Sequence, residues 1–550
     1  MGNIINPDNY NSFINLVKFK ESEIFVDKTE FIEKMSSKIN TQNRFIAITR
    51  PRRFGKTVTA HMLSAYYSKG YAGQNIFDKL EIANKPSFVE HLNKYNVINI
   101  DMNSVDGRFD VYSRNKQKIE GVNDLVDYFE YLIINELKSS NEFSDTLVKH
   151  QIQNIGLLEA IMAITQDLNI KFVFIMDEWD LVYREYRNDE YLQKKFIKLL
   201  KNLFKSDDGQ KCFALAYLTG ILPIKKYNSQ SALNVFKEYN MLRPVPYEEY
   251  FGFTEEEIAE IVKLPQCKIS HQELKEWYKG YKLNGKDIYN PNSVVSAISD
   301  GICQSYWSGT SSNEEVVRLI NMNFRGIKND ITKLIDGIKI PFNSNNFQND
   351  MVTIKDKNDI FSLLVCLGYL GCSERNNGLK LAYVPNQEIK QTLLSIVRCQ
   401  KWSRRTEIVK RSEMLLNSII KKPDENKVAE IIQEIHNSTA VSLLDYNDEE
   451  SLTYCVMTGL LWSTLDDYNY HREDQAGKGR VDLVYEPITD KLPLILIEFK
   501  YDSSAEEAIN QIKTKEYFKR YTRQYHNTVI VGINYSTKTK DHQCMIEKLD

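Results

Sequence analysis

The sequence predicts an α/β protein. It has a parallel sheet with helices on both faces near the N-terminus, a mainly helical middle region, and a second α/β domain at the C-terminus. Three stretches predict this. Phe45-Ile46-Ala47-Ile48-Thr49 is a short apolar run, followed by Arg50-Pro51-Arg52-Arg53-Phe54 and then by Gly55-Lys56-Thr57 opening a helical pattern. Phe172-Val173-Phe174-Ile175-Met176 is apolar throughout and ends in Asp177-Glu178. Leu494-Ile495-Leu496-Ile497 ends in Glu498-Phe499-Lys500. Short apolar runs without alternation suit strands buried on both faces.

The first stretch has the layout of a phosphate-binding loop. A helix N-terminus offers unpaired N–H groups and the positive end of a dipole, so it favours an anion. Lys56 is expected to reach the β- and γ-phosphates of ATP, and the Thr57 hydroxyl to sit on Mg²⁺. The usual pattern, G-x-x-x-x-G-K-[ST], places its first glycine at position 50, where this chain has Arg50. The second stretch supplies the acidic partner. Asp177 at a strand end is expected to help hold Mg²⁺, and Glu178 to polarise the attacking water. The expected nucleotide-binding residues are Arg52, Arg53, Phe54, Gly55, Lys56, Thr57, Val58, Asp177 and Thr219.

In chain order, Ile24–Thr29 reads as a short strand running into a helix capped near Asp27 or Thr29. A helix is expected over 57–67 and a strand over 95–101. Residues 104–120 are polar and read as a loop, and 122–138 as a helix. Lys211–Gly220 is a further strand, ending in Thr219, which either senses the γ-phosphate or simply closes the strand. Strands alternating with helices give a parallel sheet, with ligands at the carboxyl ends of the strands. The expected domains are 1–250, 251–440 and 441–550. Phe253-Thr254-Glu255-Glu256-Glu257 starts a helix in the second of these. Its aromatics, Trp277-Tyr278 among them, read as core packing, and 343–358 and 420–427 as loops.

Composition narrows the function classes. At 550 residues with net charge −3, no global basic field advertises nucleic acid. The eight cysteines form no C-x-x-C pair or disulfide framework, which fits a reducing compartment. Histidine spacing argues against zinc. There is no secretory signal at the start and no run of about 20 apolar residues, so a cytoplasmic location without membrane insertion is expected.

Ile48–Thr57 resembles the phosphate loop of the AAA-ATPase-like family, whose members are typically fused to a C-terminal PD-(D/E)XK nuclease-like domain. Asp27-Lys28-Thr29, Asp177-Glu178-Trp179-Asp180, Thr219-Gly220, Gly252-Phe253-Thr254 and Tyr289-Asn290-Pro291 fit the same family. The resemblance covers nearly the whole chain. It also accounts for Arg50, since Arg-Pro-Arg-Arg-Phe-Gly-Lys is that family's own variant. What the side chains of Arg52 and Arg53 touch stays open between phosphate, a neighbouring subunit and solvent.

The C-terminal stretch carries a second constellation. Gly477–Tyr485 looks like a turn entering a strand, Leu494–Lys500 is another strand, a helix follows from Ser504, and Thr528–Ile533 is a further strand. Two carboxylates on adjacent strands make an oxygen-rich site suited to Mg²⁺ or Mn²⁺, the ions that phosphodiester hydrolysis calls for. Asp482 and Glu498 are the expected metal ligands. Period-two alternation puts Lys500 on the face of Glu498, where it can orient water or stabilise the transition state. The pattern resembles the Asp…Glu-x-Lys core of the PD-(D/E)XK fold, a restriction-endonuclease-like α/β domain. Gln511 and Tyr517 resemble the helix after the core in its RecB-like members. The resemblance implies a supporting acidic residue on the first helix, Glu450 or its neighbour Glu449. Cys455 stands where relatives often carry His.

Two functions are therefore expected in order. The first is an ATPase whose C-terminal domain is a metal-dependent nuclease gated by nucleotide state, acting on nucleic acid with DNA favoured over RNA. The alternative is an ATP-dependent switch whose nuclease-like domain binds nucleic acid or protein without cutting. Self-association through the ATPase domain is expected where an arginine is supplied in trans, with Arg52, Arg184, Arg187 and Arg243 as candidates.

Overall fold

A computed structural model describes the chain outside residues 1–3, 8–10, 21–22, 115–118, 151–155, 225–232, 308–311, 323, 325, 345–346, 348–353, 375–378, 400–406, 439–448, 465–466, 477–478, 490–491, 522–526 and 550. Two compact units divide it: residues 1–325 with 341–392, and residues 326–340 with 393–550.

The first unit is built on five parallel strands, β1 (Phe45–Thr49), β2 (Asn96–Asp101), β3 (Phe172–Asp177), β4 (Phe213–Gly220) and β5 (Lys237–Tyr239). Their order is β2-β3-β4-β1-β5. Every residue of β1, β3 and β4 is buried. Successive side chains point to opposite faces. Phe45, Ala47, Phe174 and Met176 enter one core, while Ile46, Ile48, Val173 and Ile175 enter the other. Because β4 lies between β1 and β3, the loop after Thr49 and the carboxylate of Asp177 begin two strand spacings apart, about 10 Å. The N-terminus of the helix Lys56–Tyr67 spans that gap.

Two expectations in this unit are corrected. Residues 104–120 are not a loop throughout: a helix runs Met102–Arg114. Its inward residues, Met102, Val105, Phe109 and Tyr112, recur at helical spacing. Polar neighbours on the outer face hide that stripe. Asp101 starts the helix by accepting the Asn103 N–H at 3.0 Å and the Ser104 hydroxyl at 2.6 Å. Residues 24–28 form no strand. Asp27 instead accepts the N–H and hydroxyl of Thr29 at 2.8 and 2.6 Å, and the helix Glu30–Ser36 follows.

The middle region is mainly helical, with two small sheets in addition. Strands β6 (Phe253–Thr254), β7 (Tyr281–Leu283) and β8 (Lys286–Tyr289) pair in the order β6-β8-β7. Asn284 and Gly285, at φ 51° and 80°, turn the hairpin between β7 and β8. Asn-Gly is the strongest short hairpin signal a sequence carries. Strands β9 (Ile340–Phe342), β10 (Gly371–Glu374) and β11 (Lys380–Tyr383) pair in the order β10-β11-β9. Thr254 and Glu257 form the expected capping box of the helix Glu255–Ile261.

The second unit holds a mixed sheet of β12 (Tyr468–Ala476), β13 (Gly479–Pro487), β14 (Leu494–Tyr501), β15 (Thr528–Ser536) and β16 (Asp541–Leu549), in sequential order. Only β14 and β15 run parallel. Ile495, Ile497 and Phe499 face a core with the helices Glu407–Ile420, Glu425–Ser438 and Glu449–Thr464. Leu494 and Leu496 face the helix Ala505–Thr514 through Ile509 and Ile512. Among the described residues no helix is long and apolar enough to cross a membrane.

Candidate active sites

Gly55 is the N-cap of the helix Lys56–Tyr67 at φ 84°, a conformation that side chains with a Cβ rarely adopt. Nothing lies within 4 Å of where its Cβ would be, so its face is open. The Lys56 side chain is buried, with Nζ 3.0 Å from the Pro51 carbonyl and 3.9 Å from Glu178 Oε1. Burial holds its ammonium below the ordinary lysine value, against the pull of Glu178 and Asp177. The Thr57 hydroxyl lies near enough to the Asp177 carboxylate to favour its ionised form. The two expected metal-holding oxygens therefore lie together.

Arg50 faces away from this site. It is wholly buried and donates to the carbonyls of Thr49 at 2.9 Å, Tyr239 at 3.3 Å and Tyr247 at 3.3 Å. Its guanidinium also lies over the Phe251 ring, 5.3 Å from the centroid. Burial lowers its pKa to about 10, which leaves it charged at neutral pH. Arg50 thus ties β1 to β5 and to the segment beyond. Arg53 takes a positive φ of 70° and donates to the Tyr306 carbonyl. Phe54 is buried edge-on against Tyr281, with ring centroids 5.2 Å apart. Arg52 lies close enough to Arg184 for the two charges to repel.

The acidic strand ends beside β2, with Asp177 paired to Asp101 in register. Burial, reinforced by Glu178, raises the Asp177 carboxyl to about 7. Glu178 takes a positive φ of 53°, and its carboxylate meets Lys56 through Oε1 and Arg184 through Oε2. Asp180 is fully buried and accepts Arg184 Nε at 3.0 Å and the Leu222 N–H at 2.9 Å. A Cβ on Gly220 would stand 2.3 Å from Asp180 Oδ1, so glycine permits this close approach. Thr219 gives its hydroxyl to the Ile48 carbonyl at 2.9 Å, a bond across the sheet to β1.

A cavity of about 1020 Å³ opens beside Lys56 and Glu178. Lys56, Thr57, Glu178 and Arg184 are among its polar lining, and Ile24, Val26, Val295 and Ile298 among its apolar lining. Lys28 holds the extended 24–28 segment in place. Its Nζ donates to the Glu249 carbonyl at 2.5 Å and pairs with Glu257 at 2.5 Å. Sequence reasoning missed Asp101 and the apolar wall, quoted Asp180 only within the family's acidic motif and gave it no role, and offered Arg184 only as a group for a neighbouring subunit. The Asp180-x-x-x-Arg184 spacing, one helical turn, was the available signal.

In the second unit, β13 and β14 pair as far as Leu483 and Ile497. The next position on each strand is Asp482 and Glu498. There the backbone ladder gives way to a side chain: Asp482 Oδ2 accepts the Phe499 N–H at 2.7 Å. Glu498 is buried and accepts from Gln511 Nε2, which also lies 3.3 Å from the Tyr517 hydroxyl. Lys500 Nζ is 3.8 Å from Glu498 and 3.1 Å from the Phe499 carbonyl. Burial raises the Tyr517 phenol above its ordinary value, with Glu498 and Asp482 adding to the shift and Gln511 opposing it. The structure thus brings Asp482, Glu498, Lys500, Gln511 and Tyr517 together on the face of the helix Ala505–Thr514. Two carboxylates with no sulfur or imidazole suit an oxygen-preferring cation such as Mg²⁺ or Mn²⁺. Among the described residues no cluster of three acidic, His or Cys groups forms a metal cage. Glu449 and Glu450 open the helix Glu449–Thr464, but their side chains lie outside the described residues. Cys455 is buried in the core of that helix bundle.

Comparison with known proteins matches two stretches of the chain. Residues 10–228 match the family described as predicted AAA-ATPase, and residues 448–544 match the PD-(D/E)XK nuclease superfamily. A relative described as an uncharacterized protein in the vnfD 5′ region of Azotobacter chroococcum mcd 1 is 22% identical over 300 residues. The match covers 54% of this chain and 52% of that protein, so the chain spans about half the length of this relative. The solved structure of the Aeropyrum pernix ORC2 protein in ADPNP–ADP complexes superposes with a TM-score of 0.25 at 10% identity. It covers 70% of this chain and 98% of that one, and a superposition this slight carries no argument. The chain joins a predicted AAA-ATPase domain to a C-terminal domain of the PD-(D/E)XK nuclease superfamily.

Proposed function

We propose that the chain binds and hydrolyses ATP with Mg²⁺ and that its C-terminal domain cuts nucleic acid with Mg²⁺ or Mn²⁺, DNA before RNA. The observation that carries the first half is the convergence of Gly55, Lys56, Thr57 and Glu178 on one cavity that apolar side chains also line, with Asp177 buried behind Thr57 and Lys56. The loop and Lys56 take the phosphates, Thr57 and Asp177 hold the cation through oxygen, and Glu178 accepts the proton of the attacking water. The wall of Ile24, Val26, Val295 and Ile298 takes the base. Arg52, Phe54 and Val58 serve as lining and backbone donors, and Arg53 and Thr219 brace the loop and β1.

For the second half, Asp482 and Glu498 are the cation ligands, and the cation supplies a hydroxide nucleophile and charge stabilisation. Gln511 holds Glu498 in place, and Lys500 stabilises the phosphorane charge. Glu450 remains the proposed supporting acid. We also propose that nucleotide state gates the nuclease, a reading supported by the presence of both sites on one chain. Cleavage of single- and double-stranded DNA and RNA, with and without ATP, tests the whole. In the alternative, a non-cutting switch, nucleic acid or a protein partner is bound and no product appears.

A further inference from the structure

We propose that Arg184 is a catalytic arginine supplied in cis, the second cation that meets the γ-phosphate beside Lys56. This rests on the ATP-hydrolysing reading above. Of the four arginines that the sequence offers for such a role, Arg52 and Arg184 line the cavity, whereas Arg187 turns its Nε back to the Arg184 carbonyl at 2.6 Å. Arg243 is exposed on the turn after β5.

The Arg184 side chain is only 7% exposed, and its two ends do different things. Nε is anchored by Asp180 at 3.0 Å. Asp180 is itself fixed by the N–H groups of Ile221 and Leu222, at the end of the strand beside β1. That buried partner balances the charge and sets the plane of the guanidinium. The Nη2 end points at Glu178, whose other oxygen faces Lys56 at 3.9 Å. One carboxylate thus bridges two cavity-lining cations. A γ-phosphate brought to Lys56 carries more charge and three acceptor oxygens, so it competes for both cations at once. Arg184 Nη2 then moves from carboxylate to phosphate, and Glu178 is released next to the attacking water. The water oxygen bonds to the γ-phosphorus as the bond to the β,γ-bridging oxygen breaks. That oxygen keeps the electron pair and leaves on ADP, and the water proton passes to Glu178.

The test uses the full chain with ATP and ADP as probes. Arg184→Ala is expected to lower kcat by about a thousandfold or more, the range seen for catalytic arginines. ADP affinity is expected to stay within about threefold of wild type while ATP affinity falls further, because only ATP presents the γ-phosphate. Should Arg184→Ala fail to fold, Arg184→Lys is read in the same way. A purely structural arginine would weaken ATP and ADP together, and that result overturns the proposal, as does an unchanged kcat. Mixing Lys56→Ala chains with Arg184→Ala chains is expected to restore no turnover, whereas recovery would place the arginine in trans. A wild-type chain that neither binds nor hydrolyses ATP would remove the ATPase reading itself, a result separate from these.

Discussion

Asp482 accepts the Phe499 N–H at 2.7 Å at the position where β13 and β14 cease to pair, directly beside Glu498. The aspartate therefore has two duties. It completes the hydrogen bonding of a strand end and presents a carboxylate to the same space as Glu498. The two duties separate by mutation. Asp482→Asn keeps an acceptor for the N–H and loses the charge, so it is expected to fold as wild type and to lose cleavage. Asp482→Ala loses both, with an added stability cost of about 1 kcal/mol. ATP turnover is expected to be unchanged in either variant, measured beside cleavage on the same preparations.

Lys56→Ala is expected to weaken ATP binding, and Glu178→Gln to bind ATP while turnover falls about a hundredfold or more. Titration of a fluorescent ATP analogue, paired with phosphate release, checks both. Normal turnover in Glu178→Gln would remove that residue as the general base.

Arg50→Gly restores the usual first glycine of the phosphate loop, yet it is expected to destabilise the chain. The substitution empties a fully buried side-chain volume and removes the guanidinium that donates to the carbonyls of Tyr239 and Tyr247. A loss of roughly 2–4 kcal/mol by urea denaturation is expected. A more stable variant would show that Arg50 is there for the nucleotide rather than for the sheet.

Asp177 sets a pH dependence. Burial raises its folded-state carboxyl to about 7, above the unfolded value. A raised carboxyl contributes stability that is fully present below the unfolded pKa, about 4, and is lost as pH rises through about 7. Cation binding runs the other way, because it needs the ionised form. Between pH 6 and 8, Mg²⁺-dependent ATP affinity is therefore expected to rise while the stability of the nucleotide-free chain falls. Asp177→Asn is expected to flatten both curves, read by calorimetry across that range.

Much of this was legible in sequence because the chemistry sits at strand ends. Apolar runs announced β1, β3, β4 and β14, and the polar residues that end or follow those runs cluster for that reason, Lys56, Asp177 and Glu178 in the first unit and Glu498 and Lys500 in the second. What escaped was whatever depends on a third dimension. The direction of the Arg50 side chain cannot be read from a motif: a basic loop suggests phosphate, and the fold turns this arginine inward. The helix Met102–Arg114 was hidden by its polar outer face, and β12 by its place at the sheet edge, where residues such as His471, Arg472 and Glu473 are exposed. Arg184 was visible as an arginine but not as a neighbour of Glu178, because that contact depends on the positive φ of Glu178 and on the anchor at Asp180.

The most direct single measurement is cleavage of labelled single- and double-stranded DNA and RNA in Mg²⁺ or Mn²⁺, with ATP, ADP or neither, by wild type, Asp482→Asn and Lys56→Ala side by side. The expected result is cutting by wild type that disappears in Asp482→Asn, with a rate that changes with nucleotide in wild type and not in Lys56→Ala. Cutting that persists in Asp482→Asn, or no cutting by wild type while ATP is bound and hydrolysed, would contradict the assignment of a nuclease to the C-terminal domain.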